Sequence, residues 1–271
     1  MQIGAMNHPA ADVLSEILWM SEMDLDFIDL TIEPPGAASW RINASEVRRE
    51  LERRNMNVVG HTAFYLPFAS AFDGVRKAAV EELRRCLELF AEVGAKCMNL
   101  HPDRHAPMHD RRFYIRRNLE SLTELQEYGD RVGVGLMIEN LPGDFNDAAQ
   151  LGELLDPMPK LGLHLDIGHA NLMVPYNTTE QILEAHGARL RHTHLHDNKG
   201  GHADLHLPLG AGNLDLRRAL LALQKCEFDG TITLEVFTPD RHYLAYSRDI
   251  LRKAWDDIRA EIGLSQSLLG V

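Results

Sequence analysis

Several function classes are disfavoured by what this chain has little of. Cysteine is scarce: Cys86, Cys97 and Cys226 are the only three in 271 residues, and no Cys-x-x-Cys pair occurs. That excludes a disulfide framework and fits a reducing compartment. No apolar run approaches the length of a membrane span. The start, Met1 to Asn7, lacks the charged region and apolar core of a signal peptide. The chain therefore reads as soluble and cytoplasmic, with no membrane partner. Basic charge is also short, with 28 Lys and Arg against 40 Asp and Glu and a net charge of -12. A long basic footprint for a nucleic-acid backbone is thereby disfavoured as a global property, although a local strip stays open. No Ser/His/Asp or Cys/His pairing stands at a nucleophile's spacing. What is abundant is histidine, with fourteen, the commonest metal ligand and the usual proton carrier near neutral pH.

Short apolar runs alternate with longer helical periods. Candidate strands are Gln2–Asn7, Phe27–Glu33, Val58–His61, Lys96–His101, Gly135–Glu139, Leu161–Asp166, Leu190–His196 and Thr231–Val236. The clearest helix is Gly74–Val93, where Val75, Ala79, Leu83, Leu87 and Phe90 recur at three- and four-residue steps. Asp73 is its expected cap at the start and Gly94 at the end. Further helices are expected at Ala11–Met23, Ala44–Arg54, Asp110–Arg131, Asp147–Leu155, Thr179–His186, Asp215–Cys226 and Tyr243–Ile262. Eight βα units without a linker predict a single closed (β/α)8 barrel over residues 1–264, with 265–271 as a loose tail. An open doubly wound sheet is the alternative, but no glycine-rich phosphate loop follows any strand.

The strand ends carry the chemistry. Strands three to six end at His61, His101, Glu139 and Asp166; strand seven carries His192, His194 and His196 at period two; strand eight carries Glu235. In a (β/α)8 barrel these ends form the C-terminal mouth, where active sites lie. His169 follows Asp166 by three residues, and Asp204 and His206 stand in the loop after strand seven. A lone histidine or carboxylate at a strand end is ordinarily a hydrogen-bonded rim residue. Six consecutive strands ending this way are not explained so. Imidazoles and carboxylates together suit zinc or manganese, and nine ligands imply two or three ions.

Around these, His164 and His192 read as barrel-core or supporting residues, and His196 as a substrate contact. Trp40, Phe64 and Tyr65 are candidate walls of the mouth, with loop packing as the bland reading. Glu33 is placed to enter the site, and Arg104 and Lys199 to hold a phosphate unless simply solvated. His8, His105, His109, His186, His202 and His242 read as loop, helix or surface residues. Cys97 reads as core.

At these residues the chain resembles the xylose isomerase-like TIM-barrel superfamily, which includes endonuclease IV and the sugar-phosphate isomerases and epimerases. The matching blocks are Gly60-His61-Thr62-Ala63-Phe64-Tyr65-Leu66, Asn99-Leu100-His101-Pro102, Ile138-Glu139-Asn140-Leu141-Pro142-Gly143, Leu165-Asp166-Ile167-Gly168-His169-Ala170, His194-Leu195-His196-Asp197-Asn198-Lys199, Asp204-Leu205-His206 and Leu234-Glu235. The resemblance to endonuclease IV implies three zinc positions. His61, His101 and Glu139 hold the first; Glu139 bridges to a second on Asp166, His194 and Glu235; His169, Asp204 and His206 hold the third. The resemblance to the epimerases implies a single ion on Glu139, Asp166, His194 and Glu235. Departures from the endonuclease fall at Phe64 and Pro67, where it has a tyrosine and an asparagine, and at Ala38, where it has a DNA-inserting arginine.

Two enzymatic readings follow. The first is a sugar or sugar-phosphate isomerase or epimerase, in which a divalent ion polarises a carbonyl while Glu139 and Glu235 move the proton beside it. A small substrate fits walls made by Trp40, Phe64 and Tyr65. The second is hydrolysis of a phosphoester, as in an abasic-site endonuclease, with nucleic acid as the unfavoured partner. Zinc is the first choice of ion, with manganese, cobalt and magnesium as alternatives. A non-catalytic scaffold is disfavoured, because an open mouth with many ligands is a poor structural metal site. Homo-oligomerisation is left open.

Overall fold

The computed structural model describes residues 1–104 and 108–269. Strands and α-helices alternate: β1 (Gln2–Met6), α1 (Val13–Glu22), β2 (Phe27–Ile32), α2 (Ala44–Arg54), β3 (Asn57–Thr62), α3 (Asp73–Val93), β4 (Cys97–Leu100), α4 (Arg111–Val132), β5 (Gly135–Glu139), α5 (Ala148–Leu155), β6 (Gly162–Asp166), α6 (Thr179–His186), β7 (Leu190–Leu195), α7 (Leu216–Lys225), β8 (Thr231–Leu234) and α8 (His242–Leu269). Each strand pairs in parallel with the next and β8 with β1, so the barrel closes in sequence order.

The period of two along each strand sorts side chains between two cores. On β2, Ile28, Leu30 and Ile32 join the large apolar layer between sheet and helices, whereas Phe27 joins Val59, Met137 and Cys97 in a small separate cluster. That cluster plugs the barrel near the strand starts. Further along, buried polar residues take over: Asp29, Asn99, His164, His192 and Thr233. The interior thus grades from an apolar floor to a polar mouth.

Helix starts follow local chemistry. Asp12, Asn43, Asp110, Asp147 and Asp215 each accept a hydrogen bond from the backbone N–H three residues on. The expected cap at Asp73 is not formed. Phe72 occupies the cap position without a side-chain bond, and the Asp73 carboxylate instead lies 2.6 Å from Arg117 Nη2. A guanidinium within reach outcompetes the helix end. Gly94 does end α3, at φ 95, a left-handed conformation that favours glycine. α8 runs past Ile262 to Leu269, since no proline interrupts it. His105 lies outside the described residues. No helix among the described residues is long and apolar enough to cross a membrane.

Candidate metal centre

The strands end slightly before their reactive residues. β4 stops at Leu100, β7 at Leu195 and β8 at Leu234, so His101, His196 and Glu235 sit where the backbone leaves the sheet. His61, Glu139, Asp166 and His194 lie within their strands. Strand register aligns them: Glu139 is the Cα partner of His164, and Asp166 of His194.

All nine expected ligands come together at this mouth. The ligand atoms of His61, His101 and Glu139 lie within 4.8 Å of one another, and so do those of Glu139, Asp166 and His194. Glu139 Oε2 stands 3.0 Å from His101 Nε2 and 3.9 Å from His61 Nε2. Glu235 Oε2 stands 3.4 Å from His194 Nδ1. In a third group, Asp204 Oδ2 is 3.2 Å from both His169 Nε2 and His206 Nε2.

His196, expected to touch substrate, is instead buried within this third group. Its Nε2 lies 3.5 Å from Asp204 Oδ1 and 3.6 Å from Asp166 Oδ1. It reaches that position only because Gly168 has no side chain, since a Cβ there would come within 2.2 Å of His196 Nε2. His206 is stacked between His196 and Phe237, at ring separations of 4.2 and 4.4 Å. It adopts φ 45, the left-handed region that a non-glycine residue enters at a cost.

A second layer holds the first. Asn99 Nδ2 donates to Glu139 Oε2 at 2.5 Å. Asn140 spans β5 and β6, donating to the Asp166 carbonyl at 2.9 Å and accepting from the Asp166 N–H at 2.8 Å. The Nδ1 of His169 meets the Asn140 carbonyl at 3.0 Å, and that of His206 the Glu235 carbonyl at 3.1 Å, which turns both Nε2 atoms towards Asp204. On the barrel's inner wall His194 Nε2 lies 2.7 Å from Asp29 Oδ2. Asp29, Asn99 and the supporting role of Asn140 were not read from the sequence. The available signal at Asp29 was a carboxylate inside the strand run Phe27-Ile28-Asp29-Leu30.

Burial and charge compete throughout. Burial pushes the Glu139 carboxyl up, but the charges of His101 and His164 outweigh it and hold the group well below the usual carboxylate range. Glu235 is likewise burdened by burial yet brought down to about 2 by His194 and His206. Burial depresses His194, but Glu235 and Asp29 raise it well above an ordinary histidine. His169 behaves the same way through Asp166 and Asp204, and His206 is raised through Asp204 and Glu235 against its burial. His164 goes in the opposite direction, lowered first by burial and then by the charge of His194. The half-buried Cys97 thiol is pushed up to about 12 by its desolvation, unsuited to nucleophilic attack.

Above the cluster opens a cavity of about 1340 Å³. Phe64, Tyr65, Glu33 and Arg104 line it, with the Tyr65 hydroxyl 3.1 Å from Glu33 Oε1. Trp40 does not: it is 71% exposed and outside the lining. The Glu33–Ala37 bridge folds its loop back on itself and leaves Trp40 in the turn before α2. Trp19 of α1 lines the wall instead, its indole N–H donating to Glu16 at 2.7 Å and Arg241 lying 4.0 Å from its ring centre. Lys199 is exposed and outside the lining, in the β7–α7 loop, where its backbone carbonyl accepts from Asn213 Nδ2. His8 and His202, expected as loop, helix or surface residues, are exposed loop residues that also line the cavity. His8 lies two residues after the end of β1, and His202 sits in the long β7–α7 loop.

The donor set fits divalent metal ions. His61 Nε2, Asp166 Oδ2, His194 Nδ1, His196 Nε2 and Glu235 Oε2 are all buried without a hydrogen-bond partner in the protein. Leaving such a group unmatched costs about 1–3 kcal/mol each. Here they converge rather than scatter, and mixed imidazole and carboxylate donors are what zinc and manganese take.

Comparison with known proteins places this geometry. An uncharacterised protein of Methanocaldococcus jannaschii is 29% identical over 193 residues, covering 68% of this chain and 66% of that one. Fructoselysine 3-epimerase of Escherichia coli O157:H7 is 29% identical over 153 residues, covering 53% of this chain and 52% of that enzyme. The chain thus spans from about half to just under two thirds of the length of these curated relatives. Among solved structures, a D-tagatose 3-epimerase-like protein superposes with a TM-score of 0.84 at 23% identity, over 97% of this chain and all of that one. An L-ribulose 3-epimerase gives 0.82 at 17% identity, covering 97% of each chain. Residues 17–256 match the model of one family, and with the closed barrel they show that the chain belongs to the xylose isomerase-like TIM barrel family.

Proposed function

We propose that this chain is a divalent-metal-dependent isomerase or epimerase acting on a sugar or sugar phosphate. One observation carries the reading. Two buried carboxylates held ionised by histidines, Glu139 and Glu235, stand at the floor of a large cavity walled in part by aromatic side chains. The relative that acts on fructoselysine and the epimerases among the solved structures support the same chemistry.

Glu139, Asp166, His194 and Glu235 would hold the ion, with His61 and His101 beside Glu139. When bound, the ion supplies Lewis acidity that polarises a carbonyl and makes the adjacent carbon more acidic. The chain's own groups then do proton work. One of the two carboxylates takes the proton from the carbon beside the carbonyl. The other, ionised at rest, relays a proton from solvent water to that carbon from a different side, which inverts it, while the first releases its proton to solvent. In an isomerisation the first instead hands its proton to the neighbouring carbon as a hydroxyl proton moves between the two oxygens. Phe64, Tyr65 and Phe237 line the cavity and offer flat apolar surface to the sugar's C–H faces. The test is conversion of ketoses and ketose phosphates by metal-loaded protein, followed by chromatography. Glu235→Gln should abolish the conversion. Equal rates in wild type and variant would remove Glu235 from the chemistry.

A second reading, hydrolysis of a phosphoester, is favoured by one specific feature: the third group of His169, Asp204 and His206 is assembled as closely as the other two. Against DNA as the substrate, Ala38 is fully buried, so nothing at that loop position inserts into a duplex. Cleavage of an abasic-site duplex by zinc-loaded protein, lost in Glu235→Gln, would establish this reading in place of the first.

A further inference from the structure

We propose that Asp29 is a positioning residue for the metal centre. It fixes His194 in the tautomer that carries its proton on Nε2 and presents the Nδ1 lone pair to the ion. The inference rests on the metal reading above, and it concerns a residue outside all the expected ligand sets.

Asp29 lies midway along β2, fully buried and facing the barrel interior. Three donors converge on its Oδ2: His194 Nε2 at 2.7 Å, Thr233 Oγ1 at 2.9 Å and His192 Nε2 at 3.4 Å. An ionised carboxylate only accepts hydrogen bonds, so the His194 nitrogen facing it carries the proton. The opposite ring nitrogen, Nδ1, has no hydrogen-bond partner and stands 3.4 Å from Glu235 Oε2 and 3.9 Å from Asp166 Oδ2. The reverse tautomer would set a lone pair against the Asp29 carboxylate and an N–H where the ion binds.

Asp29 is itself held by a closed chain of bonds. Thr233 Oγ1 donates to Asp29 and therefore accepts from His192 Nε2, at 3.1 Å. His192 Nδ1 then accepts a hydrogen bond from the Thr231 hydroxyl, at 2.7 Å. Every member has one consistent donor or acceptor role. The contrast with the other ligands is informative. His169 and His206 are oriented through Nδ1 by main-chain carbonyls, which any sequence supplies, whereas His194 faces the ion through the opposite nitrogen and depends on a side chain. A carboxylate behind a ligating imidazole fixes the ring and raises its basicity, and losing such a partner costs 10–100-fold in metal affinity.

The experiment compares zinc affinity of the full chain and of Asp29→Asn, by competition with a chromophoric chelator, with cobalt absorption spectra alongside. Asp29→Asn should bind one ion about 10–100-fold more weakly, with an altered cobalt spectrum. Thr233→Val, which removes one bond to Asp29 but leaves its carboxylate against His194, should weaken binding less than Asp29→Asn does. In the zinc-loaded wild type, nitrogen-15 NMR should show His194 protonated on Nε2 and bound through Nδ1. That reading stands even where Asp29→Asn fails to fold. Unchanged affinity in folded Asp29→Asn, or zinc on His194 Nε2, overturns the inference while leaving the metal reading intact. A wild type that binds no zinc overturns both.

Discussion

Glu139 Oε2 is shared by several neighbours: His101 Nε2, Asn99 Nδ2 and His164 Nδ1 all lie within 3.2 Å of it. Glu139→Gln should lose both metal and activity, because the amide cannot supply a second anionic ligand to neighbouring groups. Metal content measured by atomic emission checks this, and unchanged content would remove Glu139 as the shared ligand. The histidines make a second prediction. His194, His169 and His206 are held above the ordinary value of 6.5 by their carboxylate neighbours, so in the metal-free protein they carry protons near neutrality. Ligation needs an unprotonated nitrogen, so metal binding should release protons near pH 7, and affinity should rise with pH through the window above 6.5 and fall below it. Calorimetry in buffers of different ionisation enthalpy counts those protons; binding without release would contradict the assignment. At this scale the gathering of the nine candidate residues at one mouth was legible because a strand end in a barrel has a known destination. Asp29 was not, because a mid-strand carboxylate has no such positional meaning until its partners on β7 and β8 are seen. Trp40 misled because loop proximity in sequence does not tell which way a turn faces.

At the scale of elements, the alternation of period two with period 3.6 located the eight strands and eight α-helices of the described residues, but not the short 3-10 turns at His169–Asn171 and Gly187–Arg189. Boundaries moved where a side chain found a stronger partner than its own backbone, as with Asp73 and Arg117. The connection between β5 and β6 carries a prediction. Asn140 is fully buried and makes both a donated and an accepted bond to the Asp166 backbone. Asn140→Ala should destabilise the chain by about 1–3 kcal/mol for each buried group it orphans. It should also weaken metal binding, since Asp166 loses its brace. Chemical denaturation of the metal-free variant isolates the first effect. A stability equal to wild type would mean the neighbouring strands hold Asp166 without it.

For the whole molecule, the cavity floor of an acidic protein of net charge -12 gathers Glu139, Asp166, Asp204 and Glu235, with Asp29 beneath them inside the barrel. Bound cations would relieve that field and turn the floor of the cavity into a site for substrate oxygens. A chelator should therefore lower the melting temperature. An ion present at a thousandfold over its Kd adds about 4 kcal/mol, or roughly 10 °C for a chain of this size. Scanning calorimetry with and without chelator checks this, and coincident transitions would argue against a resident ion. The substrate was not legible at any scale from sequence, because the cavity walls come from Trp19, His8, His202 and Arg241 on segments far apart in the chain. The most direct test of the account follows deuterium. Metal-loaded protein is incubated with ketoses and ketose phosphates in heavy water, and proton NMR is read at the carbon beside the carbonyl. The account predicts deuterium at that carbon, absent with Glu235→Gln. Protein carrying its full complement of metal that exchanges no such proton, yet cleaves an abasic-site duplex, would contradict it.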